Sequence, residues 1–344
     1  MLAAIFTAVA LAATGPALSD GQMAGTRVIT GFSGHHPPEA LRRMISTGQI
    51  SGVILFDGNV GSPRSVRRLT AELQAIPRPA AMNQPLLITV DQEGGLVRRL
   101  PGPPKPSAQA IGARGAAFAK RLGRATGVSL HSMGVNVDLA PVLDIGRRGR
   151  AIEQEGRTFA RTPAGVSKIG VGFARGLAAG GVSATAKHFP GLGAARINTD
   201  NAVQKICLPA GKLRAVDERP FASFAQSGGA MVMLSTAIYP ALSGKPAALS
   251  HAIATGELRD RLGFQGVSIS DALGSVSARA VGGPAKTALA AARAGTDLVL
   301  FTDPGDAARA QRALARGLGD GSLDREEFGT SVNRVLALRG SPRA

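Results

Sequence analysis

The sequence predicts an α/β protein, a single-domain (β/α)₈ TIM barrel, and three observations carry that prediction. Eight short β-branched runs alternate with longer Ala-, Leu- and Arg-rich segments at helical spacing, the pattern of βα units in a parallel sheet. Eight such units suit a closed barrel better than an open doubly wound sheet, which usually has fewer strands. Polar residues collect where these runs end. The interior must also be aliphatic, because 44% of the 344 residues are hydrophobic while aromatics make up 4%, with no Trp and one Tyr.

In order, the runs are Arg27–Gly34, Gly52–Asn59, Leu86–Asp91, Val135–Asp144, Val182–His188, Ala230–Thr236, Gly266–Asp271 and Asp297–Thr302. The third ends in Asp91-Gln92-Glu93, the fourth in Asp144, the fifth in Lys187-His188 and the sixth in Ser235-Thr236. The seventh ends in Asp271, and Asp303 follows the eighth. A barrel places all these positions around one mouth, the C-terminal face that carries active sites in this fold. Pro101–Pro106 is the strongest breaker and reads as a long loop after the third strand. No linker divides the chain, so residues 21–344 are expected to form one domain.

Residues 2–14 are an apolar run too short to span a bilayer but long enough for the core of a signal peptide, and small residues follow it. Residues 1–20 are therefore expected to be a leader, placing the protein in the periplasm or outside the cell. The alternative is a buried first helix in a cytoplasmic protein, because no Lys or Arg precedes the run. Cys207 is alone and cannot form an intrachain disulfide. A monomer is expected.

The formal net charge of +17 would draw the chain toward polyanions. Arg42, Arg43, Arg67, Arg68, Arg121, Arg124, Arg259 and Arg261 are scattered along helices without interleaved aromatics. Specific nucleic-acid recognition therefore lacks support. The charge reads as a solvated basic surface, open to electrostatic association with an anionic envelope. A continuous positive stripe away from the mouth would favour a binding role, and a dispersed charge an enzyme.

The five His residues lack metal-site spacing, so no metal is expected. Gly191-Leu192-Gly193 resembles half of a dinucleotide fingerprint, which alone is weak, and no cofactor is expected. What remains is a rim of carboxylates beside cationic groups. Glycoside cleavage needs that chemistry, since one carboxylate attacks or stabilises the anomeric centre while a second group protonates the leaving oxygen. Asp271 could instead cap the helix after its strand.

Particular segments are more specific. Lys187-His188-Phe189-Pro190-Gly191 closely resembles the Lys-His-Phe-Pro-Gly motif of glycoside hydrolase family 3, particularly its β-N-acetylhexosaminidase branch. Gly52–Phe56, Asp91–Gly95, Asn136–Asp144, Gly156-Arg157-Thr158-Phe159 and Gly266–Asp271 agree in order and spacing, and the likeness runs from about residue 27 to 340. The resemblance implies a retaining hydrolase with Asp271 as nucleophile. It also implies that Asp91, Arg99, Arg157, Lys187 and His188 bind the sugar, and that no cofactor takes part. The implied substrate is a carbohydrate bearing β-linked N-acetylhexosamine, from cell-wall or chitin-like fragments. An exo-β-glucosidase-like activity is the alternative, although the chain has no room for the second sandwich domain of many β-glucosidases in the family.

One departure stands out. Relatives in that branch continue the motif into a loop with Asp-Ser-His, whose His serves as acid/base, whereas here Asn198-Thr199-Asp200 occupies that place. Asp200 is then the first candidate acid/base, because a carboxylic acid with a raised pKa can protonate a leaving group. The other two readings are an acid elsewhere, Glu93 or Glu155, and a sugar-binding barrel with weak or lost hydrolysis.

Overall fold

The computed structural model describes residues 17–341. Eight parallel strands form the barrel wall: β1 (Val28–Thr30), β2 (Gly52–Leu55), β3 (Leu87–Val90), β4 (Val137–Asp138), β5 (Ser183–Phe189), β6 (Met231–Leu234), β7 (Val267–Ser270) and β8 (Val299–Phe301). Each pairs in parallel with its neighbour in sequence, and β8 returns to β1 with Val28 opposite Val299. The seam between β7 and β8 closes through the bridge Ile269–Leu298 and through Ser270 N–H donating to the Leu298 carbonyl at 2.9 Å.

Each expected run contains one of these strands, but the fourth is much shorter than its run. Only Val137–Asp138 is strand, because the chain bends away through Leu139-Ala140-Pro141. Lys187 N–H donates to the Pro141 carbonyl at 3.1 Å and Leu143 N–H to the Lys187 carbonyl at 2.6 Å, so the segment still follows β5 and delivers Asp144 to the mouth.

The helices between strands are α1 (Glu39–Ser46), α2 (Pro63–Ala75), α3 (Gly115–Ser132), α4 (Pro163–Ala179), α5 (Arg219–Gln226), α6 (Ala252–Arg261), α7 (Pro284–Arg293) and α8 (Pro304–Gly319). Several carry sequence-readable starts. Ser62, Thr162 and Asp303 cap α2, α4 and α8 through their side-chain oxygens, and Pro occupies the first turn of each. A further helix, α9 (Arg325–Gly340), ends the described chain.

Ile29, Ile54, Leu87, Val137, Leu139, Met231, Met233, Val267, Ile269, Leu298 and Leu300 fill the barrel interior as one buried cluster, the aliphatic plug that the scarcity of aromatics requires. Two larger apolar layers separate the strands from the helices. Fully buried Asp297 ties β7 to β8: its side chain accepts from Ser268 N–H at 2.8 Å and pairs with Arg259 and Arg334. Arg259 therefore serves as an internal tie and does not belong to a solvated basic face, whereas Arg261, exposed, pairs with Glu218 and Glu257.

The expected leader lies mostly outside the described residues. Of residues 1–20 only 17–20 are described, and there Ser19 caps a short helix, Asp20–Thr26, while Asp20 pairs with Arg325 at 2.7 Å.

Candidate active site

A cavity of about 320 Å³ opens at the C-terminal mouth. Asp91, Arg99, Arg157, Lys187, His188, Asp200 and Asp271 all line it, together with Glu93 and Glu155. Residues spread over about 180 positions of chain thus converge, because each sits at the end of, just beyond, or in the loop after a strand that ends at this face.

At the floor, Lys187 projects from β5 and its Nζ stands 2.5 Å from Asp91 Oδ1 and 2.7 Å from Glu93 Oε1. Arg157 grips Glu93 in a fork, with Nε to Oε2 and Nη2 to Oε1 both at 2.8 Å, and reaches Glu155 with Nη1 at 3.0 Å. Burial would push the Glu93 carboxyl up, but Arg157 and Lys187 outweigh it and hold the group well below the usual carboxylate range. The partners respond in kind. Burial alone would lower Lys187, yet Asp91 and Glu93 raise it above its ordinary value, and Glu93 does the same for Arg157. This network keeps Glu93, Lys187 and Arg157 charged at the base of the cavity, with Asp91 partly open to it.

His188 is held by fully buried Asp144, whose Oδ2 lies 2.7 Å from His188 Nδ1. Asp144 Oδ1 accepts from Leu192 N–H at 2.6 Å and from His188 N–H at 3.3 Å, so one carboxylate fixes both the imidazole and the start of the loop that follows. Beneath them Asp138 accepts from Gln92 N–H at 3.0 Å, and burial pushes its carboxyl well above the ordinary range. Asp138 and Asp144 are thus internal supports.

Asp271 follows β7. Its backbone N–H donates to the Leu234 carbonyl at 2.9 Å, and its Oδ1 accepts from Ala272 N–H at 2.8 Å. That bond is to the next residue, whereas an N-cap bonds two or three residues on, and the nearby helix Val276–Arg279 is capped by Ser275. The capping role considered for Asp271 therefore falls to another residue.

Asp200 comes from the loop after β5, which is anchored along its length. Asn198 Oδ1 accepts from Asp200 N–H at 3.0 Å, the buried Thr199 carbonyl accepts from Ser277 N–H at 3.3 Å, and Gln204 Oε1 accepts from Arg196 N–H at 3.2 Å. Although Asp200 reaches solvent at the rim, the surrounding protein pushes its carboxyl up, and the charge of Asp271 adds to that effect. His188 and Arg157 pull the other way without cancelling it.

Arg99 lies on a small hairpin, Gln92–Gly94 with Val97–Arg98, whose turn carries it back over the cavity. Its Nη1 stands 3.4 Å from Asp57 Oδ2. Gln92 clamps the Pro-rich loop beside it, donating from Nε2 to the Leu100 and Pro103 carbonyls at 2.9 and 3.0 Å. Asp57 is not marked by a motif in the sequence. Tyr239, the single tyrosine, is equally unmarked: its buried hydroxyl donates to the Gly191 carbonyl at 3.2 Å and supports the loop. Gly191 and Gly193 stand where no side chain fits. A Cβ on Gly191 would meet the Asp217 side chain at 2.7 Å, and one on Gly193 would collide with the Ile145 carbonyl oxygen.

Comparison with known proteins accords with this geometry. Residues 20–338 match the Glycosyl hydrolase family 3 N terminal domain. The chain is 38% identical over 342 residues to an uncharacterized secreted glycosyl hydrolase of Arthroderma benhamiae, covering 96% of each. It is 33% identical to a beta-hexosaminidase of Stenotrophomonas maltophilia strain K279a, covering 80% of this chain and 83% of that one. Among solved structures it resembles the family 3 beta-N-acetylglucosaminidase from Paenibacillus sp. str. FPU-7 with a TM-score of 0.88 and 33% identity, over 94% of this chain and 62% of that one. With its barrel, its family motifs and its carboxylate-lined mouth, the chain belongs to glycoside hydrolase family 3 and is a glycoside hydrolase of the β-hexosaminidase kind.

Proposed function

We propose that the chain is a retaining exo-β-N-acetylhexosaminidase of the cell envelope or exterior, with Asp271 as nucleophile and Asp200 as general acid/base. The observation that carries this reading is the difference between the carboxylates of one cavity. Glu93 is locked as an anion between Arg157 and Lys187, whereas Asp200 is pushed toward its protonated form by burial and by Asp271. Carboxyl groups whose surroundings separate their pKa values divide into acid and anion roles. Glu93 is thereby a poor acid, and Glu155 is committed to Arg157.

In the first step an Asp271 carboxylate oxygen attacks the anomeric carbon while Asp200 donates its proton to the departing glycosidic oxygen, leaving a glycosyl ester on Asp271. In the second, Asp200 takes a proton from water, whose oxygen attacks the anomeric carbon and releases Asp271. The Ala272 N–H bond to Oδ1 fixes the nucleophile's orientation and leaves the other oxygen free to attack. Asp91, Lys187, His188, Arg157 and Arg99 hold the sugar hydroxyls. The substrate is β-linked N-acetylglucosamine at the end of cell-wall or chitin-like fragments. Placement outside the cytoplasm is supported by the apolar run at residues 2–14 and by the secreted relative.

The test compares hydrolysis of p-nitrophenyl-β-N-acetylglucosaminide and of N,N′-diacetylchitobiose by the parent, D271A and D200A. D271A should lose both activities. D200A should lose about 10²–10⁴-fold on the disaccharide but far less on the aryl glycoside, whose phenolate leaves without a proton. Full activity in D271A, or equal losses on both substrates in D200A, would overturn the assignment.

A further inference from the structure

The flank formed by α3, α4 and α5 contains no Asp or Glu in any of the three helices. It carries six cations, Lys120, Arg121, Arg124, Lys168, Arg175 and Arg219, and all six are exposed. None has a side-chain partner among the described residues. Several basic residues elsewhere meet a carboxylate, among them Arg147, Arg157, Arg161, Arg214, Arg259 and Arg261. What distinguishes this flank is that its six exposed cations stand on three helices with no carboxylate among them.

That side is also grooved. A trough of about 670 Å³ runs between the helices, with Lys120, Lys168 and Arg175 on its walls and small residues such as Ala116, Ala164 and Gly172 on its floor. It is shallow because α3 and α4 pack backbone to backbone. A Cβ on Gly123 would collide with the Phe173 carbonyl oxygen, and one on Gly176 with that of Lys120. A second cavity of about 250 Å³ shares Arg175 and Ser227 with the trough and continues it toward the N-terminal face of the barrel. Lys168 and Arg175 lie two turns apart on α4, about 10 Å along the trough, and Lys120 lines it from α3.

We infer that this trough is a docking site for a linear acidic polysaccharide, separate from the catalytic mouth and holding the enzyme on an anionic glycan. An extended chain with regularly spaced carboxylates meets successive cations without any pocket for a defined end group, and releases their counterions as it does so. Two other polyanions fit less well. The flank exposes no large aromatic on which bases could stack. Its only exposed large apolar side chain is Val128, too little for insertion into a membrane.

Docking of this kind lies outside the hydrolytic assignment, and its test does not require catalysis. Binding of a fluorescein-labelled oligogalacturonate, which has no acetamido sugar for the mouth, is measured by anisotropy for the parent, K120Q/K168Q/R175Q and K286Q/R312Q/R316Q. The last variant removes the same charge from exposed positions of α7 and α8. The flank variant should bind at least about tenfold more weakly and with a shallower salt dependence, the control within about twofold of the parent. Both should hydrolyse the aryl glycoside at the parental rate if the parent does. Equal weakening in both variants would mean diffuse charge and overturn the site. So would absence of parental binding at low salt, or tighter binding of an oligothymidylate of equal charge or of anionic vesicles through the same three residues.

Discussion

Arg157 and Glu93 form a two-pronged, almost fully buried ion pair, with Nε and Nη2 each 2.8 Å from a different carboxylate oxygen. The same Glu93 also faces Lys187 at 2.7 Å, so one carboxylate positions two of the residues assigned to sugar binding.

Replacing Glu93 with Gln should leave two buried cations sharing only Asp91 and Glu155. Removing one partner from a buried pair costs about 3–5 kcal/mol, and calorimetry should show the melting temperature of E93Q lowered by several degrees. The sign with pH is fixed as well. Glu93 is depressed in the folded state from an ordinary 4.5, so its contribution is complete above that value and is lost as pH falls toward the folded pKa. From pH 5 down to pH 3 the parent should therefore lose stability more steeply than E93Q. Parallel curves for the two proteins would contradict the depressed pKa.

Much of this architecture is legible in the amino-acid sequence itself. The alternation of β-branched runs with helical segments locates all eight strands, and the ionisable residues ending those runs locate the mouth. Local signals carry such features, since a strand's period and a cap's hydroxyl depend on neighbours in sequence. The pairing pattern at the mouth is not legible in that way. Glu93 reads as a possible acid because its sequence neighbours say nothing of Arg157, 64 residues away, which fixes it as an anion. Arg259 reads as a surface charge for the same reason, its partner Asp297 being supplied by another strand end. Tyr239 and Asp57 act through tertiary contacts that leave no period or spacing to detect.

Asp200 must be protonated to serve as an acid, so turnover of a disaccharide should fall as pH rises through its pKa. Burial and Asp271 raise that pKa, which puts the alkaline limb of the kcat/KM profile above the ordinary carboxylate range. In D200A the residual hydrolysis of the aryl glycoside should lose that limb. Persistence of an unchanged alkaline limb in D200A would assign it to another group.

Asp144 accepts three hydrogen bonds from the chain around His188, through Nδ1 at 2.7 Å, the His188 N–H at 3.3 Å and the Leu192 N–H at 2.6 Å. An Asn in its place cannot accept all three, and its amide turns a donor toward at least one of them. D144N should lose about 1–3 kcal/mol for each bond left unmade. The exchange of the Leu192 amide should quicken even where global unfolding is suppressed. Misplacing His188 by about 1 Å should reduce kcat/KM on the order of 100-fold, a loss that a purely remote destabilisation would not produce below the melting transition.

The loop that carries Asp200 depends on the absence of a side chain at Gly193. A Cβ there would collide with the Ile145 carbonyl oxygen, and the neighbouring Arg147 Nη1 would stand 3.0 Å away, so backbone has to move. Gly193→Ala should therefore displace the loop between its anchors at Asp144 and Gln204. Overpacking of this kind costs about 1–3 kcal/mol. Its kinetic effect should separate proton donation from nucleophilic attack, because Asp271 follows a different strand and stays in place. Disaccharide hydrolysis, which needs a proton from Asp200, should fall much more than aryl glycoside hydrolysis. Equal losses on both substrates in a variant that remains folded would show that the loop does more than carry the acid.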